Sequence, residues 1–137
     1  MKTVKANKGA YSNLIEALSI QRACAEDGFD WDEVLPVFAK IEEELLEVRE
    51  EYGKDIVDKS AIKEELGDLL FAVVNLCRHL DVNPDEAMAL ANLKFQGRYS
   101  ELQSLAEKQG KVLVNLNMEE KEALWQRVKQ LELKSER

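Results

Sequence analysis

Apolar residues recur every three to four positions along almost the whole chain, which is the period of an amphipathic helix. Nowhere do apolar and polar residues alternate long enough to suggest a strand. The pattern predicts about five helices. The first begins near Leu14 with Ser12 as its cap and stops at Gly28, after which Gly-Phe-Asp-Trp makes a bend. The second is predicted to be capped by Asp30 or Asp32, to carry Pro36 in its first turn, and to end at Gly53 after Tyr52. A loop over 54–58 leads to a third helix from about Lys59 to Leu80. The fourth opens at Pro84 behind an Asn83 cap and runs to about Lys108, where Gly110 stops it. Residues 112–117 are ambiguous, a short extended piece being one reading. A fifth helix covers about Met118 to Leu133, with the last four residues frayed.

Five helices joined by short connections describe an all-α bundle. The third helix is the most informative, because between Leu66 and Cys77 only Asp68 and Asn75 carry hydrogen-bonding side chains. A helix apolar around most of its circumference belongs at the centre of a bundle or of a dimer, so a homodimer or higher homo-oligomer is expected. At 137 residues the chain suits a single domain over residues 11–137, preceded by a flexible N-terminus of residues 1–10.

Charge narrows the function. Asp and Glu number 27 against 19 Lys and Arg, a net charge of -8, so nucleic-acid phosphates are repelled and no nucleic-acid partner is expected. Any handling of phosphates then calls for an intervening metal cation. Cys24 and Cys77 lack metal-ligand spacing and read as buried, reduced thiols. A single histidine, His79, excludes His-rich zinc sites and the ferritin-like di-iron arrangement. No signal peptide is visible at the N-terminus, and no run reaches the roughly 18 apolar residues of a membrane span, so a cytoplasmic protein without a membrane partner is expected.

Within that acidic background two groups of carboxylates stand out. The second helix has an apolar stripe of Val34, Phe38, Ile41, Leu45, Val48 and Tyr52. Glu44 falls about 70° from the centre of this stripe, on its margin, with Glu47 one turn further on. On the third helix Glu65 and Asp68 repeat the same spacing, and Asp68 is expected to be partly desolvated among its apolar neighbours. If the two helices pack with these margins facing, four carboxylates meet, an all-oxygen set suited to Mg²⁺ or Mn²⁺. The same letters also describe a solvated glutamate-rich face, with Asp68 paired to Arg22, Arg78 or a lysine. Later, Lys94 and Arg98 share a helix face four residues apart, as do Trp125 and Lys129. The first pair can hold phosphate oxygens, and the second can stack a base beside a charge. Their plainer reading is surface ion pairs and a core anchor.

In order, LSIQRACAEDGFDW, FAKIEEELLEVREE, EELGDLLFAVVNLCRHL, ALANLKFQGRY and LWQRVKQLE resemble the MazG family of nucleoside triphosphate pyrophosphohydrolases, over nearly the whole chain from Tyr11 onward. The resemblance is closest to the C-terminal domain of two-domain bacterial members. It implies an all-α, oligomeric fold, usually dimeric, and Mg²⁺-dependent cleavage of an NTP between the α- and β-phosphates to NMP and pyrophosphate. The family's acidic pattern falls on Glu43, Glu44, Glu47, Glu65 and Asp68. It thereby implies Glu44, Glu47, Glu65 and Asp68 as metal ligands, with Glu43 and Glu64 as adjacent acids that orient water or a second metal; either glutamate could then take the proton from that water. Lys94 and Arg98 match residues that hold the triphosphate, and Trp125 and Lys129 match positions near base and phosphate. Two alternatives stay open: a non-catalytic nucleotide- or protein-binding module with the same fold, and a pyrophosphatase specific for dUTP or dCTP. Ser19 departs from the family, whose members often carry a lysine there.

Overall fold

The computed structural model of the chain describes residues 12–135. The segment 1–10, predicted to be flexible, and the last two of the four residues predicted to fray lie outside them. Five α-helices and one 3₁₀ turn account for the ordered elements, with no strand among the described residues, so the all-α expectation holds.

Helix α1 spans Asn13–Glu26. Ser12 precedes it in extended conformation, and its Oγ accepts from the amide of Ile15 (3.3 Å), as predicted for the cap. The same hydroxyl donates to Asp85 (3.0 Å). Beyond the helix Gly28 takes φ +86°, a left-handed conformation that side chains resist. Its amide and that of Phe29 close on the carbonyls of Ala25 and Cys24.

Helix α2 spans Leu35–Tyr52, and here the predicted cap is corrected. The residue before the helix is Val34, which makes no side-chain cap bond, while Pro36 does sit in the first turn. Asp30 and Asp32 lie too far upstream to reach the first-turn amides. Asp30 is recruited elsewhere: its Oδ1 accepts from Arg78 Nη2 (2.6 Å), its Oδ2 from Arg78 Nη1 (3.0 Å), and His79 Nε2 stands 3.0 Å from Oδ1. Arg78 also donates to Asn75 Oδ1 from Nε (3.1 Å) and Nη2 (2.9 Å). The bend after α1 is thus tied to the end of the third helix.

This tie has a pH signature. The Arg78 guanidinium, chiefly through its hydrogen bonds, holds the Asp30 carboxyl down at about 2. A depressed carboxylate contributes stability that is complete above its unfolded value near 4 and disappears as pH falls toward 2. Asp30→Asn is therefore expected to cost about 1 kcal/mol at neutral pH after solvent screening, and the difference from the parent should shrink to a small fraction of that in urea unfolding near pH 2. Equal losses at both pH values refute the assignment.

Helix α3 spans Lys59–His79, with Asp58 Oδ1 accepting from the amides of Ser60 (2.9 Å) and Ala61 (3.4 Å). Leu80, predicted as its last residue, is the C-cap. The chain then turns through Asp81 at φ +60°, a residue type that tolerates the left-handed region better than most. Helix α4 spans Pro84–Lys108, and Asn83 Oδ1 accepts from the amides of Asp85 (2.8 Å) and Glu86 (3.0 Å). It gives way at Gly110, at φ +70°. The ambiguous stretch 112–117 forms a 3₁₀ turn over Leu113–Asn115, with its flanks Val112 and Leu116 extended. Leu113 and Leu116 pack on the core of the second unit described below, which curls this short stretch instead of leaving it straight. Helix α5 spans Met118–Ser135, two residues beyond the predicted end, so Lys134 and Ser135 are helical where fraying was expected. A reciprocal capping box opens it: Asn117 Oδ1 accepts from the Glu120 amide (2.8 Å) and Glu120 Oε1 from the Asn117 amide (3.0 Å).

The helices fall into two compact units, the first running to Ala87 and the second starting at Met88. In the first, α3 packs against both α1 and α2 around Leu18, Val37, Ala72 and Val74. Gln21, buried on α1, donates from Nε2 to the carbonyl of Phe71 (2.9 Å). In the second, Leu102 and Ala106 of α4 pack against Leu124 and Val128 of α5. The predicted central helix α3 keeps one uncovered side: Leu66, Leu70, Phe71 and Val73 are all exposed, Leu70 at 54%. Cys24 and Cys77 are free thiols, half-buried where full burial was expected. No helix among the described residues is long and apolar enough to cross a membrane.

Candidate metal centre

The acidic site follows from how α2 turns its face toward α3. The predicted stripe would bury Phe38, Leu45 and Tyr52, yet these are 44%, 50% and 71% exposed. The residues turned inward are Val37, Ile41, Glu44 and Val48, a face rotated by about 60° at 100° per residue. That rotation carries Glu44 from the margin into the interior, where it is only 7% exposed.

Two acidic triads result, one of Glu43, Glu44 and Glu47 and the other of Glu44, Glu65 and Asp68. In each, one carboxylate oxygen per residue lies within 4.8 Å of the others, and Glu44 belongs to both. Lys40 brings positive charge to the first triad: its Nζ lies 3.1 Å from Glu43 Oε2 and 3.3 Å from Glu44 Oε1. Those two carboxylates hold the ammonium of Lys40 above its ordinary pKa. Crowding shows most clearly at Glu47, whose pKa is raised first by a hydrogen bond with Glu65, which a shared proton must supply, and then by the charge of Glu44.

Inside the cluster, Glu44 Oε2 and Glu65 Oε2 are buried and have no hydrogen-bond partner. Buried carboxylate oxygens without a donor are costly, and a divalent cation removes that cost. Oxygen-only donors in this number fit a hard cation and not zinc. The cluster can therefore hold a metal ion.

The desolvated carboxylate is not the one expected. Asp68 is exposed, as are its neighbours Leu66 and Leu70, because this edge of α3 is not covered by α1 or α2. Nor does Asp68 take Arg78, which is committed to Asp30 and Asn75. Glu64 is exposed and stands outside both triads, whereas Glu43 belongs to the first.

The remaining candidates lie in the second unit. Lys94 is exposed on α4, while Arg98 makes a two-pronged ion pair with Glu132 of α5, with Nη2 to Oε1 at 2.7 Å and Nε to Oε2 at 3.1 Å. Trp125 packs against the core of this unit and meets Phe95, ring centroids 5.2 Å apart, and Phe95 stacks in turn on Tyr99 at 6.2 Å. Lys129 is half-buried one turn beyond Trp125. For Arg98 and Trp125 the plainer reading of an ion pair and a core anchor describes their present contacts. Spacing gives no role to Glu132, and Phe95 and Tyr99 enter only as part of the matching stretch ALANLKFQGRY. Glu132 carries one faint signal, an acid three residues beyond Lys129 on the same helix.

Comparison with known proteins extends these observations. Residues 33–102 match the MazG nucleotide pyrophosphohydrolase domain, a stretch that contains both acidic triads, Lys94 and Arg98. The chain is 41% identical over 120 residues to the nucleoside triphosphate pyrophosphohydrolase of Escherichia coli K12, covering 88% of this chain and 46% of that protein. It is 40% identical over 125 residues to the nucleoside triphosphate pyrophosphohydrolase/pyrophosphatase MazG of Thermotoga maritima, covering 88% of this chain and 47% of that protein. A further match, 36% identical over 74 residues, is the uncharacterized protein YabN of Bacillus subtilis, covering 54% of this chain and 15% of that protein. The chain thus spans about half the length of the first two relatives.

Proposed function

This chain belongs to the MazG nucleotide pyrophosphohydrolase family, and from that membership we propose that it hydrolyses nucleoside triphosphates between the α- and β-phosphates, giving NMP and pyrophosphate. The observation that carries the proposal is the convergence of acidic residues from α2 and α3 around the partnerless oxygens of Glu44 and Glu65. Glu44, Glu47, Glu65 and Asp68 would hold Mg²⁺, or Mn²⁺ in its place, within a single functional domain over residues 11–137. When bound, the ion neutralises the carboxylates and polarises the triphosphate oxygens.

The chain's own side chains do the rest. Glu43, a member of the first triad, or Glu64, on the solvent side of α3, would accept a proton from water. Lys94 and Arg98 supply positive charge to the departing pyrophosphate. Trp125 offers a ring face to the base, with Lys129 one turn away for a phosphate. The working unit is a homodimer or higher homo-oligomer, because the apolar side chains left uncovered on α2 and α3 make an extended apolar surface that a second copy would cover.

The test is a pyrophosphate-release screen over canonical and modified NTPs and dNTPs, with Mg²⁺ and with EDTA. NMP and pyrophosphate should appear in equal amounts, and EDTA should reduce release to background. Nucleotide binding without release of pyrophosphate under any metal would instead identify a non-catalytic binding module.

A further inference from the structure

Glu132 is bound to Arg98, one of the cations assigned to the polyphosphate. Its carboxylate lies edge-on to the Arg98 guanidinium, with Nη2 to Oε1 at 2.7 Å and Nε to Oε1 and Oε2 at 3.3 and 3.1 Å. The pair is partly shielded, the two side chains being 21% and 39% exposed. Carboxylate and phosphate present the same two-oxygen edge to arginine, so one guanidinium edge cannot serve both at once. We propose that Glu132 is a built-in competitor for the substrate: it occupies the Arg98 fork and must be displaced before a triphosphate chain can take that place. This rests on the reading of Lys94, Arg98 and Lys129 as polyphosphate ligands.

Two further observations favour a competitor over a mere brace for Arg98. First, Arg98, then Lys94 and Lys129, together hold the Glu132 carboxyl below its ordinary pKa. The charges of all three cations thus act on this one carboxylate, Arg98 most strongly and by direct contact. Second, the displaced carboxylate has somewhere to go. Glu132 also lines a groove of about 370 Å³ between α4 and α5, whose polar lining is Ser104, Lys108 and Ser135 together with the like-charged Glu101. The consequence is selectivity by charge: an anion that cannot outbid the carboxylate does not reach the fork, whereas a triphosphate that also engages Lys94 and Lys129 can.

The experiment titrates inorganic tripolyphosphate into the full chain by calorimetry, in EDTA and at low salt. Wild type is compared with Glu132→Gln, Glu132→Asp, Arg98→Ala and the Arg98→Ala/Glu132→Gln double variant. Removing one negative charge a few ångströms from the bound anion should tighten Kd about five- to ten-fold in Glu132→Gln. Glu132→Asp, whose shorter side chain loses part of the two-pronged contact, should show a smaller gain and serves as the readout if Glu132→Gln does not fold. The gain should disappear in the Arg98→Ala background. With Mg²⁺ and an NTP the change should fall on KM and not on kcat. Unchanged or weaker tripolyphosphate binding in both Glu132 variants, or a gain that survives Arg98→Ala, overturns the proposal. If Glu132→Gln tightens tripolyphosphate binding but no NTP yields pyrophosphate, the hydrolase reading fails and the competitor stands. Equal affinities in an active hydrolase refute the competitor alone.

Discussion

Glu47→Gln and Asp68→Asn are each expected to lower pyrophosphate release by about 10²–10³-fold or more while leaving the helical circular-dichroism signal and the unfolding transition close to those of the parent. The two residues enter the cluster from different helices, Glu47 from α2 and Asp68 from α3. Neither side chain is buried, so the isosteric amide leaves no cavity and exposes no core. What is removed is one formal charge from a set whose task is to bind a divalent cation. The Mg²⁺ concentration for half-maximal activity should rise in both variants. Near-normal turnover in either one would show that the ligands have been misassigned.

Glu44 should behave differently, because its position is bought at a cost in stability. Its Oε2 is buried without a partner, and Glu43, Glu47, Glu65 and Asp68 crowd around it. The contact with Lys40 offsets little, since that lysine is half exposed. Without metal, Glu44→Gln is expected to stabilise the chain by about 1–3 kcal/mol in urea unfolding, by removing a buried charge that is crowded by four other carboxylates and met by one half-exposed lysine. With Mg²⁺ the order reverses: the parent gains stability through linkage, whereas the variant gains little and loses turnover. A variant less stable than the parent in EDTA, or one that gains as much from Mg²⁺, contradicts this account of the site.

Much of the fold was legible because its boundaries are set locally. Ser12 and Asn83 each answer amides two or three residues away, and Gly28 and Gly110 take the left-handed conformations that end helices. What escaped was decided at long range. Asp30 reads as a cap only until Arg78, 48 residues away, claims it. The inward face of α2 could not be fixed from periodicity, because its apolar positions extend beyond the face that α3 covers, and Phe38 and Leu45 remain for something else. That ambiguity is why Asp68 looked like the desolvated acid and Glu44 like a marginal one. The four carboxylates themselves could be named from spacing and resemblance. The carboxylate sitting on Arg98 could not, since 34 residues separate the partners.

Glu44 is the shared corner of both triads, and this restricts how the chain can change in length. An inserted or deleted residue within α2 or α3 would swing everything beyond it through about 100°, taking one set of oxygens out of register with the other. The segment from Gly53 to Asp58 lies outside both helices and carries no such penalty. Among descendants of this sequence, tolerated insertions and deletions between the two acidic motifs should collect in that turn, while the helical segments on either side keep a fixed residue count.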